Sequence, residues 1–171
     1  MSRRVKETYT QMNFFEDHYD HASKAIQSAV KESWAGFFGD HIFPLIDDSI
    51  FDPLYSSTGR PSAPVYLLYS LCLFEITMHI PEEQLFQRIL TDLAFQYALH
   101  RTTDECLPFA RSTYHRFKKK LHEHAIQTGN DLFFLCNVDL TVKLKSVAHV
   151  PKIFRNLEKY TIDQFFPSQT V

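Results

Sequence analysis

Glycine is scarce, with four residues in 171 beside eight prolines. Few breaks are therefore written into the chain, and neither an internal repeat nor a low-complexity tract is present, which excludes a disordered or linker-like protein. Cysteine is equally sparse. Cys72, Cys106 and Cys136 are odd in number and widely spaced, with no C-x-x-C pair and no signal peptide ahead of them. That pattern points to reduced thiols and a cytoplasmic location, at the nucleoid if the chain binds DNA. A membrane-length apolar run is lacking too. The run Val65 to Ile80 is about 16 residues long and contains Glu75, short of the roughly 20 needed to cross a bilayer, and it reads as a buried helix.

The signatures of catalysis are also missing. There is no G-x-S-x-G, no glycine-rich phosphate loop and no pair of acids on a readable scaffold, so no cofactor and no small-molecule substrate is implied. Nine histidines raise the question of a metal. His18 and His21, beside Asp17 and Asp20, are the best-spaced group, and His122 and His124 the next. Neither has a cysteine partner or an H-E-x-x-H frame, so both read as solvated polar faces and no metal is expected.

What is present is core material: 44% of the residues are hydrophobic and 15% aromatic, enough for one domain with an appendage. The apolar spacing is mostly helical, which predicts an all-α fold, a compact multi-helix domain followed by a short divergent tail. Phe15, Tyr19, Ala22, Ile26, Ala29 and Val30 carry an amphipathic helix toward Trp34, with Gly36 and Gly39 as its stop. Short turns follow through Leu54. A loop from Tyr55 to Pro64 then leads, with Ser62 as cap, into an all-round apolar helix from about Ala63 to Met78. Pro81, Glu82 and Glu83 start the next helix, with a break near Asp92. Val138, Leu140, Val142 and Leu144 alternate in a strand-like way, and Pro151 to Phe165 reads as a last amphipathic helix. The boundaries that result are a polar segment 1–12, a helical domain 13–132 and a tail 133–171.

Charge is distributed unevenly around a net −2. Between Asn13 and Leu54 eight acidic residues face only Lys24 and Lys31. Between 111 and 120, Arg111, Arg116, Lys118, Lys119 and Lys120 concentrate five of the 18 basic side chains. With Ser112 as N-cap, Tyr114, Phe117, Leu121 and Ala125 share one face of a helix. His115, Arg116, Lys119, Lys120 and Glu123 lie on the other. Such a helix suits phosphate contact, as the second helix of a helix-turn-helix supported by Gln84 to Leu99, with the free N–H groups of its first turn as an anion site. The bland alternative is a solvated charged face. Arg60, in the loop, would either reach a phosphate or staple a turn to a nearby aspartate.

Several ordered motifs occur at compatible spacings: Phe43-Pro44-Leu45-Ile46-Asp47, Asp52-Pro53-Leu54-Tyr55-Ser56, Gly59-Arg60-Pro61-Ser62-Ala63-Pro64, the segment Asp92 to His100, and Ser112 to Phe117. Through them the chain, from about Phe38 to about Leu132, resembles the N-terminal domain of bacterial insertion-sequence transposases of the InsH type. The resemblance implies a helical domain that recognises the terminal inverted repeats of an element, ahead of a ribonuclease H-like domain whose three acidic residues and two divalent cations do the cutting. The family's Asp-Ser step, which belongs some way beyond the basic helix, is not found there. Asp139 comes too early and lacks the serine, and only about 40 residues follow Leu132 where such a domain needs roughly 150.

The expectation is therefore a DNA-binding transposase domain that is not itself an enzyme, from a truncated or frameshifted element. Its expected DNA contacts are Arg111, Ser112, His115, Arg116, Lys119 and Lys120, with Arg60 as a loop contact. The rival expectations are an interaction module that forms a homo-oligomer or pairs with intact transposase, and a remnant without function.

Overall fold

The computed structural model describes residues 18–55, 63–102 and 107–167. Arg60, the Ser62 cap, Cys106 and the polar start lie outside them. Among the described residues every regular element is helical: α1 (His18–His21), α2 (Lys24–Glu32), α3 (Trp34–Phe37), α4 (Val65–Met78), α5 (Glu82–Thr91), α6 (Leu93–Ala98), α7 (Arg111–Thr128) and α8 (Leu132–Leu144). A π turn Phe38–Ile42 and 3-10 turns at Phe43–Leu45, Asp48–Leu54, Lys152–Phe154, Leu157–Lys159 and Ile162–Phe165 complete the elements of the described residues. No helix among the described residues is long and apolar enough to cross a membrane.

Helix α4 is the axis of the core. Leu67 to Phe74 are all buried, because the segment has no polar face to turn outward. Around it the aromatics interlock. Trp34 meets Phe74 and Phe95 edge-on at 5.4 and 4.9 Å between centroids, Phe38 lies 4.6 Å from Phe74 and 5.5 Å from Phe154, and Phe51 sits between Tyr69 and Phe117. Offset and edge-on contacts of this kind are the favourable geometries for aromatic rings.

Four local expectations are corrected. The first helix is broken, with Ser23 capping α2 through Ile26 N–H and Ser33 capping α3 through Ala35 N–H. Gly36 and Gly39 stop nothing and lie inside helical turns, where their missing Cβ matters for packing. The alternating stretch around Val138 is helix: Asp131 caps α8 through Phe134 N–H, and its buried residues Leu132, Phe133, Cys136, Asn137, Leu140 and Leu144 follow three-and-four spacing, which outweighs four alternating residues. Residues 151–165 form three short 3-10 turns in place of one helix, their Phe154, Leu157 and Ile162 fully inserted in the core.

Candidate nucleic-acid interface

The basic helix α7 begins two residues earlier than a cap at Ser112 would place it. Ala110 is its N-cap and supplies no side-chain bond, so Ser112 is inside the first turn and exposed and does not cap it. Among the described residues no side chain caps the first amide groups, and this end of the helix carries the positive end of its dipole. Gly129, at φ 73°, ends the helix in the left-handed region.

Tyr114, Phe117 and Leu121 are buried, as their spacing predicts, and so is Lys118, only 5% exposed. Its ammonium lies 2.9 and 3.1 Å from the two oxygens of Glu75 and 2.9 Å from Oε2 of Glu82, over the Tyr114 ring at 4.6 Å and the Phe165 ring at 5.2 Å. Tyr114 donates its hydroxyl to Glu75 at 2.6 Å. Burial alone would lower the Lys118 pKa, but the hydrogen bonds to Glu82 and Glu75 outweigh it and raise the value. One of the five cations in the basic run therefore belongs to the core. The signal for it was Glu75, a carboxylate on an otherwise apolar helix that demands a buried partner.

The remaining cations fall into two groups. Arg111, half exposed, donates from Nε to Oε1 of Glu82 at 2.9 Å, and His115 Nδ1 lies 3.6 Å from Oε2 of the same carboxylate. Burial pushes the Glu82 carboxyl up, but the bonds from Lys118 and Arg111 prevail and hold it below its usual value. Farther along, Arg116 folds back on the first turn, with Nε 3.4 Å from the Ser112 carbonyl oxygen and a terminal nitrogen 3.3 Å from Thr113 Oγ1. Lys119 is exposed and 3.9 Å from Glu123, and Lys120 has its ammonium 5.3 Å from the Tyr55 ring centroid. Among the described residues neither Arg116 nor Lys120 has a carboxylate partner.

Helix α7 is held from behind by α4, by the Asp48–Leu54 turn and by the Ile162–Phe165 turn, and α5 supports it through Phe86 against Tyr114 at 5.7 Å. Residues 99–110 join α6 to α7, a much longer connection than the three or four residues of a helix-turn-helix. The six residues expected to touch DNA all lie on the exposed side of α7, but two of them share Glu82, Lys119 faces Glu123 at 3.9 Å, and among the described residues only Arg116 and Lys120 of the cations have no carboxylate beside them. Arg60, expected as a loop contact, is outside the described residues. Among the described residues no three His, Cys, Asp or Glu side chains are placed to hold a metal ion.

A family model described as transposase domain (DUF772) matches residues 28–120. That stretch runs from the middle of α2 to the third turn of α7 and takes in the central helix and most of the cationic surface. Neither curated proteins nor solved structures give a match to the chain.

Proposed function

Because the chain belongs to the transposase domain family, we propose that it is a DNA-binding module that grips the terminal inverted repeats of an insertion sequence through α7 and does not itself cut them. The observation that carries the reading is the grouping of Arg116, Lys119 and Lys120 near a helix N-terminus whose N-cap, Ala110, supplies no side-chain bond, on the outward side of a helix whose other side is locked into the core. Charge is focused there in a chain of net charge −2, so general basicity does not account for it. Ser112 and the first-turn amides add donors for a phosphate oxygen. Arg111 and His115 lie alongside, already engaged by Glu82, and Arg60 would extend the contact from its loop. Contacts from such side chains to phosphate fix a protein on the duplex without reading its bases.

A fluorescence-anisotropy titration with duplexes from the ends of the encoding element, run across a salt series, tests this. Three phosphate contacts predict a slope of log K against log salt of about −2.7. Replacing Arg116, Lys119 and Lys120 together by alanine should flatten it and weaken binding to every duplex alike. Salt-independent association, unchanged binding by the triple variant, or metal-dependent cleavage by the purified chain overturns the proposal.

A second reading, a pairing module for another copy or for intact transposase, is favoured by Leu135 and Val142, which stand 45% and 58% exposed on α8. Light scattering separates the two, since an oligomer indifferent to DNA would support pairing.

A further inference from the structure

We infer that Glu82 is an internal counter-anion that withholds Arg111 from nucleic acid, so that α7 offers its first DNA-available cation at Arg116; this rests on the reading of α7 as the DNA-facing helix.

Glu82 opens α5, and its carboxylate is divided between two cations of α7. Oε1 takes the Arg111 Nε–H at 2.9 Å, and Oε2 lies 2.9 Å from Lys118. His115 stands 3.6 Å from the same oxygen. The four charges Glu75, Glu82, Lys118 and Arg111 sum to zero. The charges of Arg111 and Lys118 are thus balanced by the protein itself before a polyanion arrives. Glu83 follows on the same first turn of α5 and acts electrostatically on Arg111 as well. A phosphate moving up to Arg111 would have to displace one carboxylate while approaching another, and both displacement and repulsion oppose it. Arg116 and Lys120 face no carboxylate among the described residues, so a phosphate reaches them without such competition.

The arrangement also makes Glu82 separable from folding. Lys118 keeps both oxygens of Glu75, at 2.9 and 3.1 Å, when the Glu82 charge is removed, so no buried ammonium is left alone. A glutamine at position 82 retains an oxygen to accept from Lys118. What changes is Arg111, which loses its counter-charge while its half-exposed guanidinium stays on the outward side of α7.

Glu82→Gln should therefore bind duplex DNA more tightly than the unaltered chain, by up to about eightfold near 0.1 M salt, and should steepen the salt slope by about 0.9, the signature of one added phosphate. Arg111→Gln in the unaltered chain should leave affinity and slope where they are, and in the Glu82→Gln background should abolish the gain. Circular dichroism confirms that each variant is folded. A Glu82→Gln chain with unchanged slope overturns the inference. So does an Arg111→Gln chain that has lost a phosphate contact on its own, a measurement that stands even if Glu82→Gln fails to fold. Absence of salt-dependent binding in the unaltered chain would instead overturn the DNA-binding reading on which the inference rests.

Discussion

His100 has a backbone φ of 52° and its Nε2 lies 2.7 Å from the Gly39 carbonyl oxygen, with the ring 4.7 Å from that of Phe43. A carbonyl can only accept, so the neutral ring carries its proton on Nε2. Burial lowers the His100 pKa below 6.5, more than the bond to Gly39 and the charge of Asp40 raise it. A base whose folded pKa is depressed takes up its proton first in the unfolded chain, so its contribution to stability is complete above about pH 6.5 and is lost as the pH falls toward the folded value. Thermal melts between pH 7 and pH 5 should show this loss, and His100→Asn, which tolerates the left-handed backbone, should remove His100's share of it. An identical pH slope in the variant counts against the assignment. The wider pattern was open to sequence reasoning only in part. With four glycines in the chain, left-handed positions fall to other residues, and His79, His100, His149 and Asn156 all have positive φ. Scarcity of glycine implies such substitutes, but periodicity and charge do not say which histidines they are.

At the scale of elements, the helices whose apolar spacing was unbroken were legible: α4 starts within two residues of expectation, α5 and α6 part at Asp92, and α7 turns Tyr114, Phe117 and Leu121 inward. The misread elements are those where two local signals competed. In α8 four alternating residues hid a three-and-four pattern started by an Asp131 cap. At Gly36 the residue that usually stops a helix serves close packing. A Cβ there would sit 2.0 Å from the Lys31 carbonyl oxygen at the end of α2, a contact with backbone that no rotamer relieves. Gly36→Ala should therefore push α2 and α3 apart at a cost of about 1–3 kcal/mol, the range for forced overpacking. At Gly39 the nearest atom would be 3.1 Å away, and Gly39→Ala should cost less. Urea unfolding of the two variants decides it, and equal midpoints would refute the argument. The cationic surface was legible as a run of charge, but its division was not. Which cations of α7 are free depends on Glu75 and Glu82, 36 and 29 residues before Arg111 in sequence, a tertiary fact that no local pattern encodes.

At the scale of the molecule, the segment beyond α7 bears on the proposed DNA surface. Asn137 on α8 is fully buried, accepts the Tyr69 hydroxyl of α4 at 2.6 Å and donates to the Tyr160 carbonyl oxygen at 3.0 Å. Asp131 caps α8 with one carboxylate oxygen and takes the Ile162 N–H at 2.8 Å with the other. The Ile162–Phe165 turn held this way places Phe165 against Phe133 and over the Lys118 ammonium, and Phe166 stacks on His122 of α7. Residues past the family match thus back the helix that the family match contributes. Asn137→Ala leaves the Tyr69 hydroxyl and the Tyr160 carbonyl without these partners, at about 1–3 kcal/mol for each buried group, and loosens the turns that follow. Limited proteolysis should leave residues 145–165 of the unaltered chain intact and cut them in Asn137→Ala. The DNA affinity of that variant should fall with the cutting, although no cation has been touched, because the back of α7 would lose Phe165 and Phe166. Early cleavage of the unaltered chain in this stretch would show that the turns do not hold α7. Full DNA affinity in an Asn137→Ala chain already cut there would show that α7 presents its cations on the support of α4, α5 and the Asp48–Leu54 turn without the segment 145–165.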